Sequence, residues 1–164
     1  VRHPAVLRAG ALAAGLAALA LAATGVTAVV RSHLGPGLTP PPVTAQERTD
    51  CEVVTRLLPD QVGGLDRRTT RPQSTLTAAW GDPAVTLRCG VREPGPTEAD
   101  CYGIDGIDWV SVPGDTSTLF VTYGRRPAVE VKVPGDYDAQ LLADLGDALG
   151  HLGRTGAECI IRGG

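Results

Sequence analysis

From Ala9 to Val30 the chain carries no charged residue for 22 positions, and this run constrains its fate more than any later feature. As a helix it would extend roughly 33 Å, enough to cross a bilayer core of about 30 Å. A helix apolar on every side needs partners on every side, and the rest of the chain is too small a domain to provide them. Arg2 and Arg8 precede the run, so the positive-inside tendency assigns residues 1–8 to the cytoplasm and everything after Arg31 to the outside. The alternative is a signal cleaved near Ala20-Leu21-Ala22, which exports the same domain. The expected location is therefore the cell membrane, as a single-pass signal anchor over 9–30, or the secreted phase after cleavage.

After Arg31 the composition shifts to Gly, Pro and Thr, with Pro40-Pro41-Pro42 in series. Such a stretch stays extended and solvated, so residues 31–48 are expected to form a linker and 49–164 an extracytoplasmic domain. Thr49-Asp50-Cys51-Glu52 has the form of a capping box, and Cys51, Val54 and Leu58 follow on one helical face before Pro59. The alternating runs Leu76 to Trp80 and Val85 to Val91, joined by Gly81-Asp82-Pro83, predict a hairpin. Ile107 to Val110 starts another strand, and Leu119 to Tyr123 with Ala128 to Val133 make a second hairpin through Gly124-Arg125-Arg126. Leu141, Leu142, Leu145, Leu149 and Leu152 then recur with helical spacing. The expected class is α+β: a transmembrane helix, then a small antiparallel sheet of about five strands packed against two helices.

Four cysteines in an exported domain of this size predict two disulfides. Three pairings are possible. Cys51 on the apolar helix face and Cys89 on the apolar face of a strand favour Cys51 with Cys89, which leaves Cys101 with Cys159. A zinc site is disfavoured by the lack of Cys-x-x-Cys, with His151 the one histidine in the domain.

A net charge of −3 with interleaved signs gives no electrostatic footprint for nucleic acid. His151 sits on a last helical turn, where it would meet the terminal carbonyls, and no Gly-x-Ser-x-Gly elbow accompanies it. Gly63-Gly64 lacks the spacing and lysine of a phosphate loop. Asp82, Asp105 and Asp108 could serve an Asp-dependent hydrolase, but each stands beside Gly or at a strand end, where turn formation explains it. No catalytic residue, metal or cofactor is expected. What remains is a sheet face: strand alternation places Thr75, Thr77, Thr86, Arg88, Thr122, Glu130 and Lys132 opposite the helices. That face is a candidate binding platform, with Trp80 and Trp109 as aromatic walls. The plainer reading is solvated surface with an Arg88 to Glu130 ion pair and tryptophans in the core.

Several segments resemble one known family: Cys51 through Leu58-Pro59, Arg67-Arg68 with Arg71-Pro72, the unbroken run from Ala78-Ala79-Trp80-Gly81-Asp82-Pro83 to Val91, Gly106-Ile107-Asp108-Trp109, and Val129 to Pro134. From about Cys51 to Leu149 the chain is similar to the actinobacterial membrane-anchored proteins of domain of unknown function thirty-five fifteen. The resemblance implies one N-terminal span and an extracytoplasmic domain. It implies no activity, and by gene neighbourhood with the D-alanyl-D-alanine ligase it points to the cell wall. The expected function is a non-catalytic envelope module that binds a wall component or another envelope protein. An Asp-dependent envelope hydrolase and a structural spacer subunit are the alternatives.

Overall fold

The computed structural model describes residues 35–95 and 97–160. The segment 1–8, expected to be cytoplasmic, and the expected span 9–30 lie outside the described residues. Among those described, no helix is long and apolar enough to cross a membrane.

Residues 35–44, expected to be free linker, lie along the folded domain. Their extended backbone finds a partner: Leu38 N donates to Arg71 O at 2.8 Å and Arg71 N to Pro36 O at 3.0 Å. Helix α1 (Ala45–Leu57) begins a turn before the expected Thr49. Thr44-x-x-Glu47 and Thr49-x-x-Glu52 fit the capping pattern equally, and the structure uses the first. Glu47 Oε2 accepts from Thr44 N at 2.8 Å, and Thr44 Oγ1 accepts from Glu47 N at 3.3 Å. Thr49 lies inside the helix and donates its hydroxyl to Ala45 O. Cys51, Val54 and Leu58 face the core as their spacing requires.

The remaining elements are β1 (Gln61–Val62), β2 (Leu65–Arg68), β3 (Thr77–Trp80), β4 (Val85–Val91), β5 (Cys101–Ile104), β6 (Ile107–Pro113), β7 (Ser117–Tyr123), β8 (Arg125–Arg126) and β9 (Ala128–Pro134). A 3-10 helix (Ala139–Leu145), helix α2 (Gly146–Leu149) and β10 (Gly153–Arg154) follow. Seven antiparallel pairings build one eight-stranded sheet in the order β1-β2-β3-β4-β9-β7-β6-β5, while β8 and β10 form a separate ribbon. Both expected hairpins are present. The expected five strands become eight because β1, β2 and β5 are two to four residues long, too short for alternation to register.

The closing helix differs as well. The expected single helix is a 3-10 helix over Ala139–Leu145 followed by one α-helical turn over Gly146–Leu149, and it still buries Leu141, Leu142, Leu145, Leu149 and Leu152. The sheet curls around this segment so that its two end hairpins approach it. Asp144 Oδ2 accepts from Gly63 N at 2.7 Å in the β1–β2 turn. A Cβ on Gly146 would overlap the Asp105 carboxylate in the β5–β6 turn. Asp105 and Gly106 both have positive φ, at 47° and 73°, as a two-residue type I′ turn demands. Buried Arg125 locks this end by donating to the carbonyls of Gly106, Gly150 and Leu152.

Disulfides join Cys51 to Cys89 and Cys101 to Cys159, the pairing favoured from the sequence. The first is fully buried and ties α1 to β4. Beside it the register of β4 against β9 shifts at Gly90, which has φ +92° and where any Cβ would collide with Val43. This bulge lets the segment before α1 cross the sheet closely.

Two outcomes follow. Thr44→Ala is expected to lower unfolding stability by about 1 kcal/mol, while Thr49→Ala stays within about 0.5 kcal/mol, measured by urea titration. Glu93 is held below the usual carboxylate range, first by its hydrogen bond from Arg126 and also by Thr155. A depressed folded pKa stabilises the protein above the unfolded value near 4.5 and is lost as pH falls through the folded one. Glu93→Gln should therefore flatten the acid limb of the stability profile below about pH 5.

Candidate functional site

Strand pairing decides which residues reach the sheet face opposite the helices. Arg88 stands directly across from Glu130 and Thr86 from Lys132. Arg88 Nε donates to Glu130 Oε1 at 2.7 Å, and its second nitrogen lies 2.6 Å from the same oxygen. The pair is partly buried, with the Glu130 side chain 15% exposed, and it commits both charges to each other. Lys132 and Thr75 are exposed, Thr86 half-buried.

Three expectations for this face are corrected. Thr122 lies on the helix-facing side, because β7 pairs with β9 so that Phe120 meets Val131. Parity then turns Thr122 inward, where it is fully buried and its Oγ1 accepts from Val129 N at 2.9 Å. Trp80 and Trp109 are also fully buried, on the same side as Leu87 and Ile107, so neither forms a ligand wall. Trp80 Nε1 donates to Pro59 O at 3.1 Å, and Arg67 covers its ring at 5.7 Å. Thr77 is 4% exposed, its hydroxyl paired with Thr70 at 2.9 Å.

The acidic residues considered for hydrolysis serve the scaffold. Asp105 occupies the type I′ turn, Asp108 Oδ2 accepts from Cys159 N at 2.9 Å, and Asp82 lies 3.5 Å from Arg68. A ring nitrogen of His151 lies 3.0 Å from Asp147 O at the end of α2. All four sulfurs are in disulfides, so none is a thiolate ligand.

The arrangement that sequence reasoning missed lies on the helix-facing side, at the far end of the sheet. There the helical segment meets the β5–β6 turn at Gly146 and Asp105, and a groove of about 570 Å³ lies between β5 and the start of that segment. That volume falls in the range of small-ligand sites. Tyr102, nearly half exposed, forms one wall; Phe120 and Ser111, each 5% exposed, belong to its floor; Asp138 and Gln140 stand opposite. Asp138 Oδ1 already accepts from Gln140 N. The Ser111 hydroxyl and the Tyr102 phenol make no hydrogen bond among the described residues. A groove-lining hydroxyl beside an exposed aromatic ring can meet a ligand's polar group and apolar surface together. The missed signal was Cys101-Tyr102-Gly103-Ile104 before Asp105-Gly106, half of a hairpin whose turn dipeptide was in view.

Scaffold and groove residues should separate in stability. Thr122→Val leaves the buried Val129 N–H unpaired and is expected to cost about 1–3 kcal/mol. Tyr102→Ala is expected to stay within about 0.5 kcal/mol, checked by thermal unfolding of both variants.

No curated protein and no solved structure matches the chain. The family described as Protein of unknown function (DUF3515) matches residues 9–155. The match takes in the entire described fold up to β10, including the paired hairpins, the first disulfide and every residue of the groove. The chain is therefore a member of the DUF3515 family.

Proposed function

We propose that this chain is a membrane-anchored, extracytoplasmic and non-catalytic interaction module of the cell envelope, whose partner occupies the groove between β5 and the 3-10 helix. Three features support the reading. The charge-free run 9–30 has the length of a membrane span. Two disulfides with no free thiol suit an oxidising compartment. The acidic side chains weighed for hydrolysis are each occupied in turns, tails or ion pairs. The observation that carries the binding role is the groove itself, lined by the Ser111 hydroxyl and the exposed Tyr102 ring.

The location is tested by fusing alkaline phosphatase after Gly164 in intact cells; an active fusion is expected, and an inactive one beside an active cytosolic reporter would contradict it. A photo-crosslinking residue at position 102 should capture a discrete adduct in the same cells, while one at exposed Lys132 should not. Equal capture at both positions, or at neither, would remove the groove from the account.

A further inference from the structure

We infer that β5 is a docking edge onto which an extended, basic segment of a partner protein adds as a ninth strand. This rests on reading the domain as an interaction module, though not on its location. β5 is the end strand of the sheet and pairs with β6 alone. The phase of that pairing is fixed at its start, where Ser111 N donates to Asp100 O at 2.9 Å. In an antiparallel ladder the bonded pairs recur every second residue, so Tyr102 and Ile104 turn their amides toward β6. Cys101 and Gly103 turn theirs outward. Among the described residues nothing bonds to those outward groups, and Gly103 adds no side chain to obstruct them.

Edge strands are usually blunted by lysine, proline or a covering element. Here the C-terminal tail crosses the other face of the sheet, where Cys159 is bonded to Asp108 and, with Ile160, flanks Val110 and Tyr123. The helical segment meets the β5–β6 turn where Gly146 faces Asp105, and the groove runs beside Cys101, Tyr102, Gly103 and Ile104. Strand addition supplies main-chain hydrogen bonds, and every second side chain of the incoming segment falls on the groove's side of the sheet.

Charge selects the occupant. Residues 97–105 contain Glu98, Asp100 and Asp105 and no Lys or Arg, and Asp138 lines the opposite wall. A second copy of this chain would bring the same acids against themselves, whereas a segment alternating basic and apolar residues complements them.

The test uses the full chain in detergent micelles, labelled for residue-level NMR, titrated with a Lys-Val-Lys-Val-Lys peptide and, separately, with Glu-Val-Glu-Val-Glu. Saturable shifts and slowed hydrogen exchange are expected at the Cys101 and Gly103 amides with the basic peptide alone. Gly103→Pro removes an outward N–H without removing a ladder bond, and a Cβ there would meet only Asp108 Oδ1 at 3.4 Å. It should weaken binding at least about tenfold, as loss of a hydrogen bond and closure of the edge imply, while Gly103→Ala binds like the parent. Unchanged binding by a folded Gly103→Pro chain overturns the inference, as does equal binding of the acidic peptide. So does self-association through β5. So does a chitooligosaccharide probe that shifts Tyr102 and Ser111 when neither peptide protects Gly103; that result would keep the groove as a binding site and reject the strand.

Discussion

The bond between Cys51 and Cys89 is the constraint on which the rest of the fold leans. It fixes α1 against β4 at the point where Gly90 bulges and Val43 crosses. The interior is poor in aromatic residues, at 4% of the chain, so a thin apolar core must be held by other means. Each disulfide spans a long loop, 38 and 58 residues, and such cross-links commonly contribute about 2–4 kcal/mol. That is a large fraction of the net stability of a small domain. The second disulfide acts elsewhere, pinning the tail across the face of β6 while β5 keeps its outer edge.

The curl of the sheet follows from the closing segment. A continuous α-helix would bury a stripe at steps of three and four. The closing segment buries Leu141, Leu142 and Leu145, with Asp144 directed at the β1–β2 turn and Gly146 against the β5–β6 turn. Both end hairpins are thereby drawn to one segment. The groove is what remains where that segment begins, at Asp138, before it closes on the strand.

Much of the fold was legible because its signals are local. Gly81-Asp82-Pro83 between alternating runs marks the first hairpin, and the paired valines of β9 mark its inward face. Errors arose where two local readings were equally good and tertiary packing chose between them. Thr44 and Thr49 both begin capping boxes, and the backbone contact of residues 36–38 with Arg71 keeps the chain folded before the earlier one. In β7 the polar look of Thr122 suggested the open face, but pairing with β9 sets parity for the entire strand. The groove was the least legible, since β5 holds four residues and its neighbours across the gap are far apart in sequence.

Whether the domain is oxidised and doubly cross-linked is read by intact mass after alkylation of the protein in denaturant without reductant. No alkyl adducts are expected, with proteolysis then releasing peptides that link position 51 to 89 and 101 to 159. Four alkylated thiols, or a link between positions 51 and 101, would contradict it.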